Sequence, residues 1–203
     1  MTAVDSDARA ADPRWQRSRA RLHAAVLELA AERPVERITG SALAAAAGVH
    51  RSTIYEHGCD TADILRGALR AELDEIRARV VEPATADTIL QATARSADEV
   101  FAHVDRHGAI YARELDAGSS GLATMLAEHF AHSIRLLIEH GAVTPPTITG
   151  DDRQAFSETV AAALAATAVA VIAVWVREPA PRDRALLAKR WRAVLPPWWP
   201  VGD

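Results

Sequence analysis

The sequence contains a single cysteine, Cys59, among its 203 residues. One thiol cannot form a disulfide framework or a cysteine-based zinc site within one chain. Residues 1–15 are polar and acidic and lack an apolar core, so they do not predict a secretory signal. We therefore expect a protein of the cytoplasm, which is a reducing compartment.

Turn residues and strand patterns are also scarce. Glycine and proline number ten each, while alanine, leucine, arginine and glutamate dominate, and this balance favours helix. No alternating apolar and polar pattern extends beyond a few residues, and no internal repeat is found. The sequence thus predicts an all-α fold.

Motifs of catalysis are missing as well. The sequence has no nucleophile elbow, no glycine-rich phosphate loop, no supported carboxylate pair and no His-Glu-x-x-His zinc motif. We therefore predict that the protein is not an enzyme and needs no cofactor.

The net charge of −4 is unevenly distributed along the chain. Residues 13–58 contain seven arginines and four glutamates and carry a charge of +3, whereas the residues that follow carry −5. A basic end joined to an acidic body predicts a local surface for nucleic acid.

Apolar residues at helical spacing predict nine helices. Their ranges are 14–33, 41–47, 50 or 51 to 58, 61–80, 85–105, 107–116, 120–140, 151–177 and 181–194. We divide the chain into a disordered N-terminus (1–12), a helix-turn-helix domain (13–60) and a helical ligand-binding and dimerisation domain (61–203).

The segment "AAAAGVHRSTIYEHG", residues 44–58, is typical of a helix-turn-helix unit. Small alanine side chains let two helices cross closely, and Gly48 ends the first of them. Val49 and Ile54 are predicted to be buried. The second helix of such a unit lies in the DNA major groove, and its outer face carries the polar residues.

These polar side chains suit a duplex. Arginine can bond a guanine edge, serine and threonine can bond bases or phosphates, and tyrosine and histidine can donate to phosphate oxygens. A carboxylate is repelled by phosphates, so Glu56 accepts from a cytosine amino group or faces solvent. The candidate DNA-binding residues are Thr39, Ser41, His50, Arg51, Ser52, Thr53, Tyr55, Glu56, His57 and Thr61. A glycine-bounded pair of short helices also occurs in helical proteins that bind no DNA.

The stretch "ITGSALAAAAGVHRSTIYEHGCDTADIL", residues 38–65, resembles the DNA-binding region of the TetR family of bacterial regulators. The positions that match that family's pattern are Gly48, Val49, Thr53, Tyr55, His57 and Leu65, and Leu43-Ala44 stands in place of the family's Ile-Ala pair. Gly58 stands where the family has an aromatic residue, and Thr61 stands where it has a phosphate-gripping lysine. The resemblance therefore implies DNA binding, and the departures keep open a degenerate member or a helical interaction protein with weak or no binding.

The same resemblance implies a C-terminal body that dimerises through its last two helices and encloses a small-molecule pocket. We expect a homodimer through residues 151–194, a palindromic DNA operator and repression relieved by a small, largely apolar effector. The candidate ligand-binding residues are Phe101, His103, Tyr111, Met125, His129, Phe130, Ser133, Phe156, Thr159 and Thr167. Taken singly, each is better explained as plain core or surface, and the interpretation as ligand-binding residues rests on the set as a whole.

Residues 160–176 carry no charge and are about as long as the shortest membrane spans, roughly 17 residues. Alanine and valine dominate this segment, and Thr167 interrupts it. Helices apolar on every side also occur in protein cores and dimer interfaces. We therefore predict no membrane partner and interpret Trp175, Trp191 and the Trp198–Trp199 pair as interface anchors or core.

His103 and His107 lie four residues apart, and Glu99 lies four before His103. Such a stripe can chelate a transition metal, as can the close pair His129 and His132. We interpret both as solvated polar faces and predict no metal site.

Overall fold

The computed structural model describes residues 12–58, 60–85, 87–116 and 120–200. These residues form nine α-helices and one 3₁₀ turn, and no strand occurs in the ranges described. The helices are α1 (Pro13–Glu32), α2 (Gly40–Ala47), α3 (Arg51–His57), α4 (Thr61–Val80), α5 (Ile89–Arg106), α6 (Gly108–Asp116), α7 (Ser120–Glu139), α8 (Arg153–Trp175) and α9 (Arg184–Val194). The prediction of an all-α fold is confirmed.

The helix ends follow from local chemistry. Asp12 caps α1, because its carboxylate accepts the backbone N–H of Arg14 at 2.8 Å. The expectation of disorder through residue 12 is thus wrong for Asp12, while residues 1–11 and Cys59 lie outside the described part of the chain. Asp152 and Asp183 cap α8 and α9 in the same way. An aspartate at this position satisfies N–H groups that have no partner within the helix.

The chain divides into two compact units between Leu69 and Arg70. We call residues up to Leu69 the N-terminal unit and those from Arg70 onward the C-terminal unit. The division falls inside α4, whereas the sequence suggested a boundary at its first residue.

The N-terminal unit consists of α1, α2, α3 and the first half of α4. Its core is formed by fully buried aliphatic side chains from all four helices: Leu22, Val26, Leu43, Ile54, Ile64, Leu65 and Leu69. The alanines of α2 alternate between core and surface at helical spacing, with Ala44 and Ala47 buried. The unit therefore buries the apolar side of α3 and leaves its polar residues outside.

The C-terminal unit consists of the second half of α4 and α5 to α9. Helix α7 packs against α8, and α9 packs against both α5 and α8. A core cluster joins α5, α7 and α8 to the chain end through Val81, Ile89, Ile134, Leu137, Val143, Val160, Ala161, Leu164, Ala165 and Trp199. The proline-rich segment after α9 is not helical, as predicted, and Trp199 anchors it to this core.

Candidate nucleic-acid interface and ligand cavity

A tight turn joins α2 to α3. Thr39 caps α2 by accepting the backbone N–H of Ala42 at 3.2 Å, and Gly48 ends α2 in the left-handed conformation with φ of +61°. The N–H of Gly48 returns to the carbonyls of Ala44 and Ala45. A residue with a side chain is strained at this φ, so glycine fixes the reversal between the two helices.

Helix α3 is amphipathic over its two turns. His50 caps it, since its Nδ1 accepts the Ser52 hydroxyl at 2.8 Å and the Ser52 backbone N–H at 3.4 Å. Ile54 is buried, and Arg51 and Tyr55 are exposed, with 66% of Tyr55 accessible to solvent. A large aromatic side chain left in water on the outer face of a short helix is a candidate contact for a partner.

Ser41, Ser52 and Glu56 are exposed as well, whereas Thr53 is half-buried. Thr39 and His50 are exposed and also cap α2 and α3. The structure thus brings most of the predicted DNA-binding residues to the outside of α2 and α3.

His57 does not face outward. Its Nε2 lies 2.7 Å from the hydroxyl of Ser18, and its ring lies 4.6 Å from that of Trp15. Burial lowers the pKa of His57, and Arg19 lowers it further while Glu56 opposes the shift. We conclude that His57 ties the end of α3 to α1 and so positions the outer face of α3. The sequence did not identify Trp15 or Ser18 as its partners.

Thr61 is buried, and its hydroxyl donates to the Ile38 carbonyl at 3.0 Å. Because this hydroxyl bonds within the N-terminal unit, it does not face a DNA phosphate, contrary to the prediction that Thr61 is a DNA-binding residue. Gly58 is explained by packing, because a Cβ there would lie 3.0 Å from Ile64 Cγ1 and 3.2 Å from Asp63 Cβ. Any side chain in place of Gly58, including the aromatic residue of the TetR pattern, would therefore require Ile64 or Asp63 to shift.

The exposed side of α1 is strongly basic. The arginines Arg14, Arg17, Arg19 and Arg21 are all solvent-exposed, and the Arg19 guanidinium lies 5.4 Å from the centre of the Trp15 ring. The contact of His57 with Ser18 and Trp15 holds α1 against α3. The arginines of α1 therefore lie in the same compact unit as Arg51 and Tyr55.

The C-terminal unit contains a mostly apolar cavity of about 110 Å³. Four of the predicted ligand-binding residues line it: Phe101, His129, Phe130 and Ser133. The remaining wall comes from α4, α5, α7, α8, α9 and the chain end. Its residues are Leu73, Ile76, Arg77, Val81, Thr93, Ser96, Ala97, Val100, Ile134, Leu137, Ala168, Val171, Ile172, Trp191 and Trp199.

Six other candidates lie outside this cavity. Met125 is core, and the hydroxyls of Thr159 and Thr167 donate to carbonyls of their own helix, α8. Phe156 packs against the cluster of α7 and α8. His103 and Tyr111 belong to a separate polar cluster. The spacing of these residues predicts which of them share a face of a helix. Which face borders the cavity depends on how the helices pack, and the spacing does not predict this.

His129 is the most buried polar residue of the cavity wall, and His132 on the same helix is exposed. Its Nδ1 lies 3.1 Å from Asp74 Oδ1 and 3.0 Å from Arg77 Nη1. Burial lowers the pKa of His129 to about 4, Arg77 and Arg70 contribute in the same direction, and Asp74 opposes them. At neutral pH the cavity wall therefore carries a neutral imidazole.

The polar cluster outside the cavity centres on Glu72. Its Oε2 lies 3.1 Å from His103 Nδ1, 3.0 Å from His107 Nε2 and 3.2 Å from Arg106 Nη1. The hydrogen bond from His103 is the main cause that lowers the pKa of Glu72 to about 2. Burial lowers the pKa of His103 and raises that of Tyr111.

The interpretation of His103 and His107 as a solvated face is wrong, because 1% of the His103 side chain and 12% of the His107 side chain are exposed. Glu99 is not part of the cluster, since it pairs with Arg79 and Arg95. The sequence missed Glu72 because it lies on a different helix, α4.

Helix α8 is apolar and long enough to span a membrane by composition, yet only 28% of its most apolar window is buried within the chain. Its inner side packs into the core of the C-terminal unit. Trp175 is fully buried and donates to the Asp183 carbonyl at 3.2 Å, so core packing accounts for it. The outer side exposes Ala162, Ala166, Ala170 and Val174, with 59% of Val174 accessible.

No protein-family model and no curated relative matches the sequence. Solved structures do match the fold. The dihydroxyacetone kinase operon activator DhaS is similar with a TM-score of 0.60 and 10% identity, over 87% of this chain and 94% of that one. A TetR-family transcriptional regulator from Streptomyces coelicolor is similar with a TM-score of 0.59 and 21% identity, over 87% and 77%.

The fatty acid degradation regulator FadR from Bacillus halodurans is similar with a TM-score of 0.56 and 19% identity, over 87% of this chain and 93% of that one. These structural neighbours are TetR-family regulators, a non-enzymatic family. The chain therefore has the fold of the TetR-family transcriptional regulators.

Proposed function

We propose that the protein is a homodimeric transcriptional repressor of the cytoplasm that binds a palindromic operator and is released by a small, largely apolar effector. The observation that carries the proposal is the outer face of α3, where Arg51 and Tyr55 are exposed while Ile54 is buried. This is the arrangement by which a recognition helix presents side chains to the major groove.

The charge of the N-terminal unit supports DNA as the partner. The exposed arginines of α1 supply the positive charge that attracts phosphates. The guanidinium group of Arg51 can form two hydrogen bonds to the edge of a guanine. Glu56 is the one carboxylate among the predicted contacts, and its place on the outer face favours a cytosine amino group as its partner. Thr61 and His57 have internal partners, so we leave them out of the proposed contact set.

The exposed apolar side of α8 supports a homodimer. The exposed residues Ala162, Ala166, Ala170 and Val174 recur every four residues, which places them in one stripe. Leu186 and Val194 of α9 are also exposed. In a dimer with two-fold symmetry, the exposed sides of α8 and α9 of one chain would pack against the same sides of the second chain. A two-fold dimer binds a palindromic DNA site.

The cavity supports a compact effector. A cavity of roughly 150 Å³ lined by apolar side chains is enough to hold benzene, so about 110 Å³ suits a single ring or a short chain. Thr93 and Ser133 donate to carbonyls of their own helices, which leaves their oxygens as acceptors. The Ser96 hydroxyl has no partner among the described residues and is the first candidate to bond a polar group of the effector.

Selection of bound duplexes from a random DNA pool tests the proposal. We expect enrichment of a palindromic sequence, and we expect that repeating the binding step with a metabolite library identifies a compound that releases the duplex. A purified, folded protein that enriches no sequence would contradict the repressor function and favour a degenerate member or an interaction protein. Enrichment without release by any compound, combined with reporter activation, would contradict effector-relieved repression.

A further inference from the structure

We propose that Glu72, His103 and His107 form a binding site for a divalent transition-metal ion such as Zn²⁺. The three ligand atoms, Glu72 Oε2, His103 Nδ1 and His107 Nε2, all lie within 4.8 Å of one another. Two imidazoles and one carboxylate are a donor set that zinc and neighbouring metals prefer.

Two of the three distances between the donor atoms already fit a shared ion. Donors bound at about 2.0–2.2 Å lie roughly 3.0–3.6 Å apart in octahedral or tetrahedral geometry. Glu72 Oε2 lies 3.1 Å from His103 Nδ1 and 3.0 Å from His107 Nε2. The two histidine nitrogens lie within 4.8 Å of each other, so the imidazoles must approach by up to about 1.2 Å for both to bind one ion.

The helices hold two of the three ligands in register. His103 is in the last turn of α5, and His107 follows that helix, with its backbone N–H donating to the His103 carbonyl at 3.1 Å. Their rings approach edge to face with centroids 4.9 Å apart. Glu72 reaches the pair from α4, so a bound ion would link α4 to the end of α5.

A buried tyrosine orients the site. His103 Nε2 lies 2.8 Å from the hydroxyl of Tyr111, which is completely buried. When His103 Nδ1 binds a metal, Nε2 carries the ring proton and donates it to this oxygen. Metal-binding histidines depend on such a partner to fix the ring and its tautomer.

One positive group competes with the ion. Arg106 Nη1 lies 3.2 Å from the same Glu72 oxygen, and 64% of the Arg106 side chain is exposed. An exposed arginine can turn into solvent, where it loses little free energy. Three protein ligands then leave a fourth position of the ion open to water or another small ligand.

Titration of the chelator-treated, tag-free full chain with Co²⁺ tests the site, since Co²⁺ in such a site absorbs visible light. We expect one ion per chain, displacement of Co²⁺ by Zn²⁺, and a loss of affinity of at least about tenfold in Glu72→Gln and in His107→Gln. Tyr111→Phe should weaken binding less than either, because it removes an orienting group and not a ligand.

His132→Gln is the matched control, since His132 is exposed on α7. It should bind Co²⁺ like the unmodified chain. Circular dichroism verifies that each variant is folded, and the partly exposed His107 provides a test even if the Glu72 variant unfolds. Absence of stoichiometric Co²⁺ binding, or equal affinity in the folded His107→Gln variant, would overturn the proposal.

Discussion

Replacement of His129 by glutamine should remove a large part of the protein's sensitivity to mild acid. The imidazole is neutral and buried, and burial lowers its pKa to about 4, whereas a histidine in the unfolded chain has a pKa of about 6.5. As pH falls below 6.5, the unfolded state binds a proton that the native state does not. The native state is therefore destabilised relative to the unfolded state as the solution becomes acidic.

The size of the effect follows from the two pKa values. Between pH 7.5 and pH 5 this histidine should lower the free energy of unfolding by about 2 kcal/mol, and the loss should approach roughly 3 kcal/mol near pH 4. The charged groups that face His129 are Asp74, Arg70 and Arg77. Glutamine can bond Asp74 and Arg77 but does not titrate, so His129→Gln should lack this loss.

Urea unfolding at a series of pH values measures the difference. Tryptophan fluorescence is a suitable signal for the C-terminal unit, which contains four of the five tryptophans. His132→Gln serves as the control, because it removes an exposed histidine from the same helix and should keep the pH dependence of the unmodified chain. Equal slopes for the unmodified chain and His129→Gln between pH 7.5 and pH 5 would refute the reasoning.

Three further substitutions test separate parts of the structure. Thr61→Val leaves the Ile38 carbonyl without its donor and should lower the free energy of unfolding by about 1–3 kcal/mol in urea titrations, while an unchanged value would remove Thr61 from the core contacts. Val174→Arg places two charges, one from each chain, in the proposed two-fold interface. The mass measured by sedimentation should therefore fall from that of two chains to the 21.8 kDa of one chain. A dimer that persists in this variant would locate the interface elsewhere. Ala97→Phe fills the cavity and should abolish the thermal shift given by an identified effector, whereas Ala78→Phe on the exposed side of α4 should not; retained effector binding would contradict the assigned cavity.

The sequence predicted the helices well because their limits are set locally. Gly48, with its left-handed backbone, and the caps Asp152 and Asp183 act on their own helix, so each is readable from a few residues. Start and end points differed by only a few residues, the largest difference being at α5, which begins at Ile89 and not near 85.

The side-chain partners were less accessible, because they join residues far apart in the chain. His57 was expected to face DNA, but its contact with Ser18 depends on how α1 and α3 pack. Glu72 was unrecognised for the same reason, since nothing near it in the sequence pairs it with His103. Arg77 pairs with Asp74 one helical turn away, a spacing that is typical of an ion pair on the protein surface. In the structure Arg77 nevertheless borders the cavity. The periodicity of the sequence therefore predicts the helices, whereas the contacts between side chains of different helices depend on how those helices pack.

The role of α3 as a DNA-reading helix is tested most directly by the affinity for the selected palindromic duplex, measured by fluorescence anisotropy at several salt concentrations. We expect two chains per duplex, an affinity that falls steeply with salt, and a loss of about 1–3 kcal/mol per recognition helix in Arg51→Ala. Arg95→Ala removes the same charge from an exposed position of α5 and should bind like the unmodified chain. Equal affinity of Arg51→Ala and the unmodified chain for that duplex would contradict the assignment of α3.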